Sequence, residues 1–232
     1  MKKLRLAIFT SLMTFLLLSG CNKNSESTQS ITPQEKIKTD EVITISESVK
    51  IGEQIWMRQN LNIDKFRNGD SIPQVTTKAQ WKKSLELKQP AWTYYDMDPT
   101  NATKYGKLYN WFAVNDPRGL APEGQHVPSD EEWSTLAEYL NGEGWSEAAL
   151  KSKTGWDFGG NKTNKSGFTA LPGGNRGASG RFMFIGSNSF WWSSSESSSS
   201  HAWYRNLGSM NGDLSRMHGN KNHGYSVRCL KD

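Results

Sequence analysis

The chain has 232 residues, with 28 Lys and Arg against 23 Asp and Glu and an apolar share of 35%. Three of the basic groups, Lys2, Lys3 and Arg5, lie in the first 20 residues with no acid beside them, so the rest carries 25 against 23, a formal balance of +2. Basic side chains are interleaved with acids and glycines rather than gathered in a stripe, which argues against nucleic acid as a partner.

The three N-terminal cations precede an apolar run, residues 6–18, broken only by Thr10, Ser11 and Thr14. This is short for a membrane span and has the form of a secretory signal over residues 1–20. Leu18-Ser19-Gly20-Cys21 resembles the bacterial lipoprotein signal, in which Cys21 is acylated and becomes the N-terminus; an uncleaved single anchor is the alternative. Either way the chain leaves the cytoplasm, and the lipid implies a membrane partner at the outer membrane or cell surface. Residues 21–40 are polar and aperiodic, as expected of a flexible tether. If Cys21 carries lipid, Cys229 has no partner, and no disulfide framework is available. About 190 residues can still bury a core by packing alone, and ten tryptophans, all between Trp56 and Trp203, supply much of its apolar area.

The folded body is expected over residues 41–232. Val42, Ile43 and Ile45 are strand-like. Ile51 and then Ile55 and Trp56 flank Gly52-Glu53, a tight connection between two short strands. Asn60, Asn62 and Asn68-Gly69-Asp70 are turn chemistry. Thr77 is placed to cap a helix with Gln80 at its third position, with Trp81 and Leu85 on one face and Pro90 beyond its end. Trp92, Tyr94 and Tyr95 and residues 105–114 form aromatic runs. Asp96-Met97-Asp98-Pro99 between them reads as a solvated loop, with a cation-holding loop as the alternative.

Ser129 with Glu132 makes a capping box, and Trp133, Leu136, Ala137 and Leu140 follow on one helical face that Asn141-Gly142 ends. A shorter helix is expected over residues 147–153. From Trp156 onward, glycine density disfavours helix. Pro172-Gly173-Gly174 reads as a turn, and residues 181–185, 189–193, 202–207 and 225–230 as strands. The serine tract 193–200, lying between aromatic strands, reads as a loop rather than a linker. The sum is a mixed α+β domain with two or three short helices and several short, mainly antiparallel strands.

Chemistry-bearing patterns are sparse. His126, His201, His218 and His223 form no zinc-type motif, and His126, before the capped helix, reads as a structural hydrogen-bonding residue. Serine-nucleophile, phosphate-loop and dinucleotide patterns are missing, so no catalytic residue, metal or cofactor is assigned. Glu196 is one acid that neither capping nor a mixed-charge surface accounts for. Trp56, Trp111, Trp133 and Phe168 are expected in the core. Trp191 and Trp192 point to opposite strand faces, so both are buried only if both faces are covered. An exposed Trp beside hydroxyls, amides and arginine suits sugar rings or a protein partner. The candidate ligand-binding set is therefore Arg176, Trp191, Trp192, Glu196, Trp203, Tyr204, Arg205 and Asn206.

GEQIWMRQNLN (52–62), YGKLYNWFAV (105–114), APEGQHVPSDEEW (121–133), GFTALPGGNR (167–176), FWWSSSE (190–196), AWYRNL (202–207) and GYSVRCLKD (224–232), in that order, resemble the Fibrobacter succinogenes major paralogous domain. That family occurs in secreted and surface lipoproteins, many from Bacteroidetes and Fibrobacter, and the resemblance implies a C-type-lectin-like fold. Gln125 stands where the family typically has Trp, and Ala121 where some members have Cys, which implies that Cys229 is a buried, inert thiol. The calcium-dependent lectin strings are missing, so that activity is not implied. The expectation is a non-catalytic module for glycan or another surface component. A structural or protein-binding lipoprotein and an oxidase-like enzyme are the competitors. Oligomeric state is not legible.

Overall fold

The computed structural model describes residues 47–158, 162–210 and 213–232. The signal segment, Cys21, the tether and Val42, Ile43 and Ile45 lie outside the described residues. Strands β1 (Ser48–Ile51) and β2 (Gln54–Met57) pair antiparallel across the expected Gly52-Glu53 turn. Gly52 has φ +61, and a Cβ there would press on the Tyr139 ring. Helix α1 (Lys78–Glu86) starts at Thr77, whose side chain accepts from the Gln80 N–H, and buries Trp81 and Leu85.

The aromatic region that follows is more helical than its composition suggests. Between β3 (Trp92–Thr93) and β4 (Leu108–Tyr109) lie two 3₁₀ turns, Tyr95–Met97 and Pro99–Asn101, and the single-turn helix α2 (Ala102–Tyr105). Helix α3 (Trp111–Val114) is capped by Asn110, which accepts from the Ala113 N–H. The loop expected at residues 96–99 is thus a tight helical turn. In it the Asp98 carboxylate accepts from the Thr100 N–H, which is capping chemistry. After β5 (Gln125–His126), α4 (Asp130–Gly142) forms with the full Ser129–Glu132 capping box and buries Trp133, Leu136 and Leu140. The shorter helix expected at 147–153 is only a 3₁₀ turn, Glu147–Ala149, because the chain is next drawn into a bridge between Lys151 and Ala170.

Antiparallel hairpins organise the second half. The expected turn at Gly173-Gly174 is instead strand β6 (Gly173–Arg176), paired with β7 (Phe182–Ile185). Gly174 is the exception that lets it form, with φ +64 and the β7 backbone too close for a Cβ. Strand β8 (Asn188–Glu196) pairs with β9 (His201–Gly208), and β9 with β10 (Leu214–Asn220). Strand β10, with apolar side chains only at Leu214 and Met217, has no alternation to mark it in the sequence. Only Leu230–Lys231 of the expected closing strand is regular; this is β11, in a sheet of order β1-β2-β11-β5. Tyr225 and Ser226 instead make single bridges to Tyr109 and Trp191. Four short helices and small antiparallel sheets make a mixed α+β architecture among the described residues.

Two aromatic cores lie on opposite faces of the β8–β9–β10 sheet. On the α4 side, Trp56, Trp133, Phe168 and Trp191 pack together, with Trp56 and Trp133 ring centroids 4.6 Å apart. On the other side, Trp192, Tyr204, Tyr225, Tyr109 and Trp111 form the second core, with Trp192 and Tyr225 at 4.4 Å. Neighbouring residues on β8 alternate faces, and each face has its own cover. Both tryptophans are therefore fully buried.

Candidate functional site

Five of the eight candidate ligand residues do not reach the surface. Arg176, Trp191, Trp192, Tyr204 and Arg205 are at most 7% exposed, which corrects the expectation of an exposed platform at Trp191–Trp192. Arg176 sits between the Trp81 and Phe182 rings, 4.7 and 4.8 Å from their centroids, and donates to the Thr77 carbonyl. Burial lowers its pKa to about 10. Trp191 Nε1 donates to Asn60 Oδ1 at 2.9 Å and Trp192 Nε1 to the Tyr109 carbonyl at 2.9 Å. Asn206 is half-buried and bridges strands by donating to the Ser189 carbonyl.

Trp203 remains partly exposed, and strand register brings to it Arg216, which the sequence did not single out. Pairing sets Trp203 opposite His218 and Arg205 opposite Arg216, on one face of the sheet. The Arg216 guanidinium lies 3.5 Å from the Trp203 ring centroid, and the His218 ring stands edge-on to Trp203 at 5.8 Å. Asp130, at the start of α4, fixes this arrangement. Its Oδ1 accepts from Arg205 Nη1 at 2.6 Å, and its Oδ2 from Arg216 Nη2 at 2.7 Å. Burial opposes ionisation of Asp130, but its bonds to Arg216 and Arg205 outweigh that and hold the carboxyl below its ordinary range. An acid in the first turn of α4 thus also braces a surface indole. From sequence alone, an acid at this position is sufficiently explained by the positive end of the helix dipole.

At the end of the same hairpin the serine tract is ordered by hydrogen bonds. The Ser193 carbonyl accepts from Trp111 Nε1, and Ser195 Oγ accepts from the Asp130 N–H, so the bulged end of β8 is tied to α4. Ser197–Ser200 form the turn, where Ser200 Oγ lies 2.8 Å from His201 Nδ1. The His201 ring meets His218 at 5.5 Å. Glu196, unexplained from sequence, is the partner of a buried lysine: Lys221 Nζ donates to its Oε1 at 2.7 Å and sits over the Trp111 ring. Among the described residues, no group of three or more His, Cys, Asp or Glu side chains is placed to hold a metal ion. Cys229 is a free, buried thiol, as expected, pushed up to about 12 by burial.

The surface of this site is therefore one braced indole in contact with Arg216 and His218, with His201 and the Ser200 hydroxyl beyond His218. The model of the family described as the Fibrobacter succinogenes major domain matches residues 49–231. The chain belongs to that family. No curated protein matches it. In this Fibrobacter succinogenes major domain, Trp145 is the other tryptophan with partial exposure, and it lies under the Lys165 ammonium, 4.3 Å from the ring centroid. The remaining eight are core residues, Trp56, Trp111 and Trp133 among them as expected.

Proposed function

We propose that this chain is a non-catalytic binding module of an exported lipoprotein, anchored through Cys21 and held off the membrane by residues 21–40. It recognises glycan or another cell-surface component through the Trp203 face. Partial exposure of Trp203 beside Arg216, in a sheet whose other tryptophans are buried, carries this reading. An indole fixed by a cation on one side offers a rigid apolar surface at low entropic cost, and hydroxyl and imidazole groups around it supply direction. Support for a C-type-lectin-like arrangement comes from the tryptophan-bearing β8–β9 pair and the closing segment that returns beside β2. The buried state and raised pKa of Cys229 favour a non-catalytic role, because the thiolate is the reactive form.

The test is intrinsic fluorescence of the full chain, titrated with polysaccharides and peptidoglycan fragments with and without EDTA. A saturable change that survives EDTA is expected. Trp203→Ala should weaken it at least about 30-fold, the effect of losing a hot spot of about 2 kcal/mol, while the melting temperature stays close to that of the parent. Saturable binding that Trp203→Ala leaves unchanged sinks this site assignment. A second reading, a protein-interaction module, is favoured by Phe158, Phe184 and Met210, which are 57, 51 and 83% exposed. They flank one turn, since the Asp157 N–H donates to the Gly186 carbonyl and the Ser209 N–H to the Ser187 carbonyl. Silence across the glycan panel moves weight to that reading.

A further inference from the structure

A cleft that shares no lining residue with the Trp203 face lies between the chain leaving β2 and the turn that enters β5. Its volume is about 270 Å³, with Cys229 in its lining. Met57, Leu61, Ile63 and Pro122 give it an apolar wall, and three residues that carry carboxamides, Gln59, Asn62 and Gln125, line it as well. None of those three carboxamides makes a hydrogen bond to another described residue, so their donors and acceptors are free for a ligand.

Both walls are fixed from behind. The Met57 carbonyl accepts from Arg228 Nη1, the Leu61 N–H donates to Val227, and the Ile63 N–H and carbonyl both bond to the Tyr109 hydroxyl. Asn60, also in the lining, is fully engaged with Trp191, Arg228, Tyr105 and Ser226. Across the cleft, the Arg67 guanidinium holds the carbonyls of Ala121, Pro122 and Gln125. Anchored backbone with unengaged side chains is the form of a preorganised site.

The lining also selects its ligand. No lysine or arginine lines it, the guanidinium groups behind its walls, Arg67 and Arg228, are engaged with backbone carbonyls and Asn60, and Glu47 is its single carboxylate, so an anion meets a like charge in the lining itself. A carboxamide both donates and accepts, as a sugar hydroxyl does, and the aliphatic wall suits the C–H face of a ring. The volume lies just under the roughly 300–1,000 Å³ of small-molecule sites, which admits one ring and not a folded chain. We propose that this cleft is a second binding site, specific for a single neutral polyhydroxylated ring such as a hexopyranose residue. It is independent of the Trp203 face.

Side-chain amide resonances of the ¹⁵N-labelled full chain provide the test, with neutral methyl hexopyranosides, glucuronate and an N-acetylated dipeptide amide as probes. Saturable shifts of the Gln59, Asn62 and Gln125 NH₂ signals are expected with at least one neutral glycoside, with glucuronate at least tenfold weaker. Asn62→Ala combined with Gln125→Ala should weaken the glycoside at least tenfold, whereas Trp203→Ala should leave it unchanged. This last comparison separates the cleft from the indole surface, since either can fail alone. No shift with any glycoside, equal or better binding of glucuronate or of the dipeptide, or indifference to the double substitution each overturns the proposal.

Discussion

Asn60 accepts three hydrogen bonds on one amide oxygen, from Trp191 Nε1 and from Arg228 Nε and Nη2. Its Nδ2 donates to the Tyr105 carbonyl and to Ser226 Oγ. Arg228 is 1% exposed and faces no carboxylate among its hydrogen-bond partners; it donates instead to Asn60 and to the carbonyls of Met57 and Phe168. Burial lowers its pKa to about 9, so it remains cationic at neutral pH. Removing its acceptor strands a buried charge as well as a buried indole N–H. Asn60→Ala should therefore cost about 3 kcal/mol or more, read from the urea unfolding midpoint. A cost below about 1 kcal/mol would mean that water replaces the amide oxygen. From sequence, Asn60 was a turn residue among other asparagines. Its four partner residues lie 45 to 168 positions away, and no local pattern encodes them.

His126 joins three elements: Nδ1 pairs with Asp232 just beyond β11 at 2.7 Å, and Nε2 with Glu132 in the capping box of α4 at 2.8 Å. Burial disfavours the charged ring, but hydrogen bonds to Asp232 and Glu132 outweigh it and raise the pKa above 6.5. Burial likewise opposes ionisation of Glu132, and its bonds to Ser129 and His126 hold it below 4.5. The His126 contribution is complete below about pH 6.5 and is lost as pH rises through the raised folded value; that of Glu132 is lost as pH falls through its lowered one. Stability is expected to peak between those values. His126→Gln should flatten the alkaline side of the melting-temperature profile, and an unchanged profile would remove this linkage. The hydrogen-bonding role of His126 was legible because the histidine directly precedes a capped helix. The Asp232 contact was not, since it depends on β11 pairing with β5.

Across the whole molecule, the sheet carrying β8, β9 and β10 separates two aromatic cores, and this decides which tryptophans are available for recognition. Trp192→Ala should lower stability by about 3–5 kcal/mol, the range for a buried large aromatic, measured by chemical denaturation. A near-silent substitution would contradict the covered face. The capped helix α4, the Gly52-Glu53 hairpin, the aromatic strands and the family were all readable from the sequence. Caps, two-residue turns and strand alternation act over a few residues, and an ordered set of motifs survives without knowledge of their spacing in space. Strand β10 lacked alternating apolar residues, and β6 carried a turn-like Gly-Gly, so both were hidden until their partner strands were in place. Alternation alone divided Trp191 from Trp192 but left open how much covers each face. Only tertiary packing settled that, by placing Trp133 against one and Tyr225 against the other while leaving Trp203 partly exposed beside Arg216. Burial is a property of what the rest of the chain brings to a residue, and local sequence records only the direction in which that residue points.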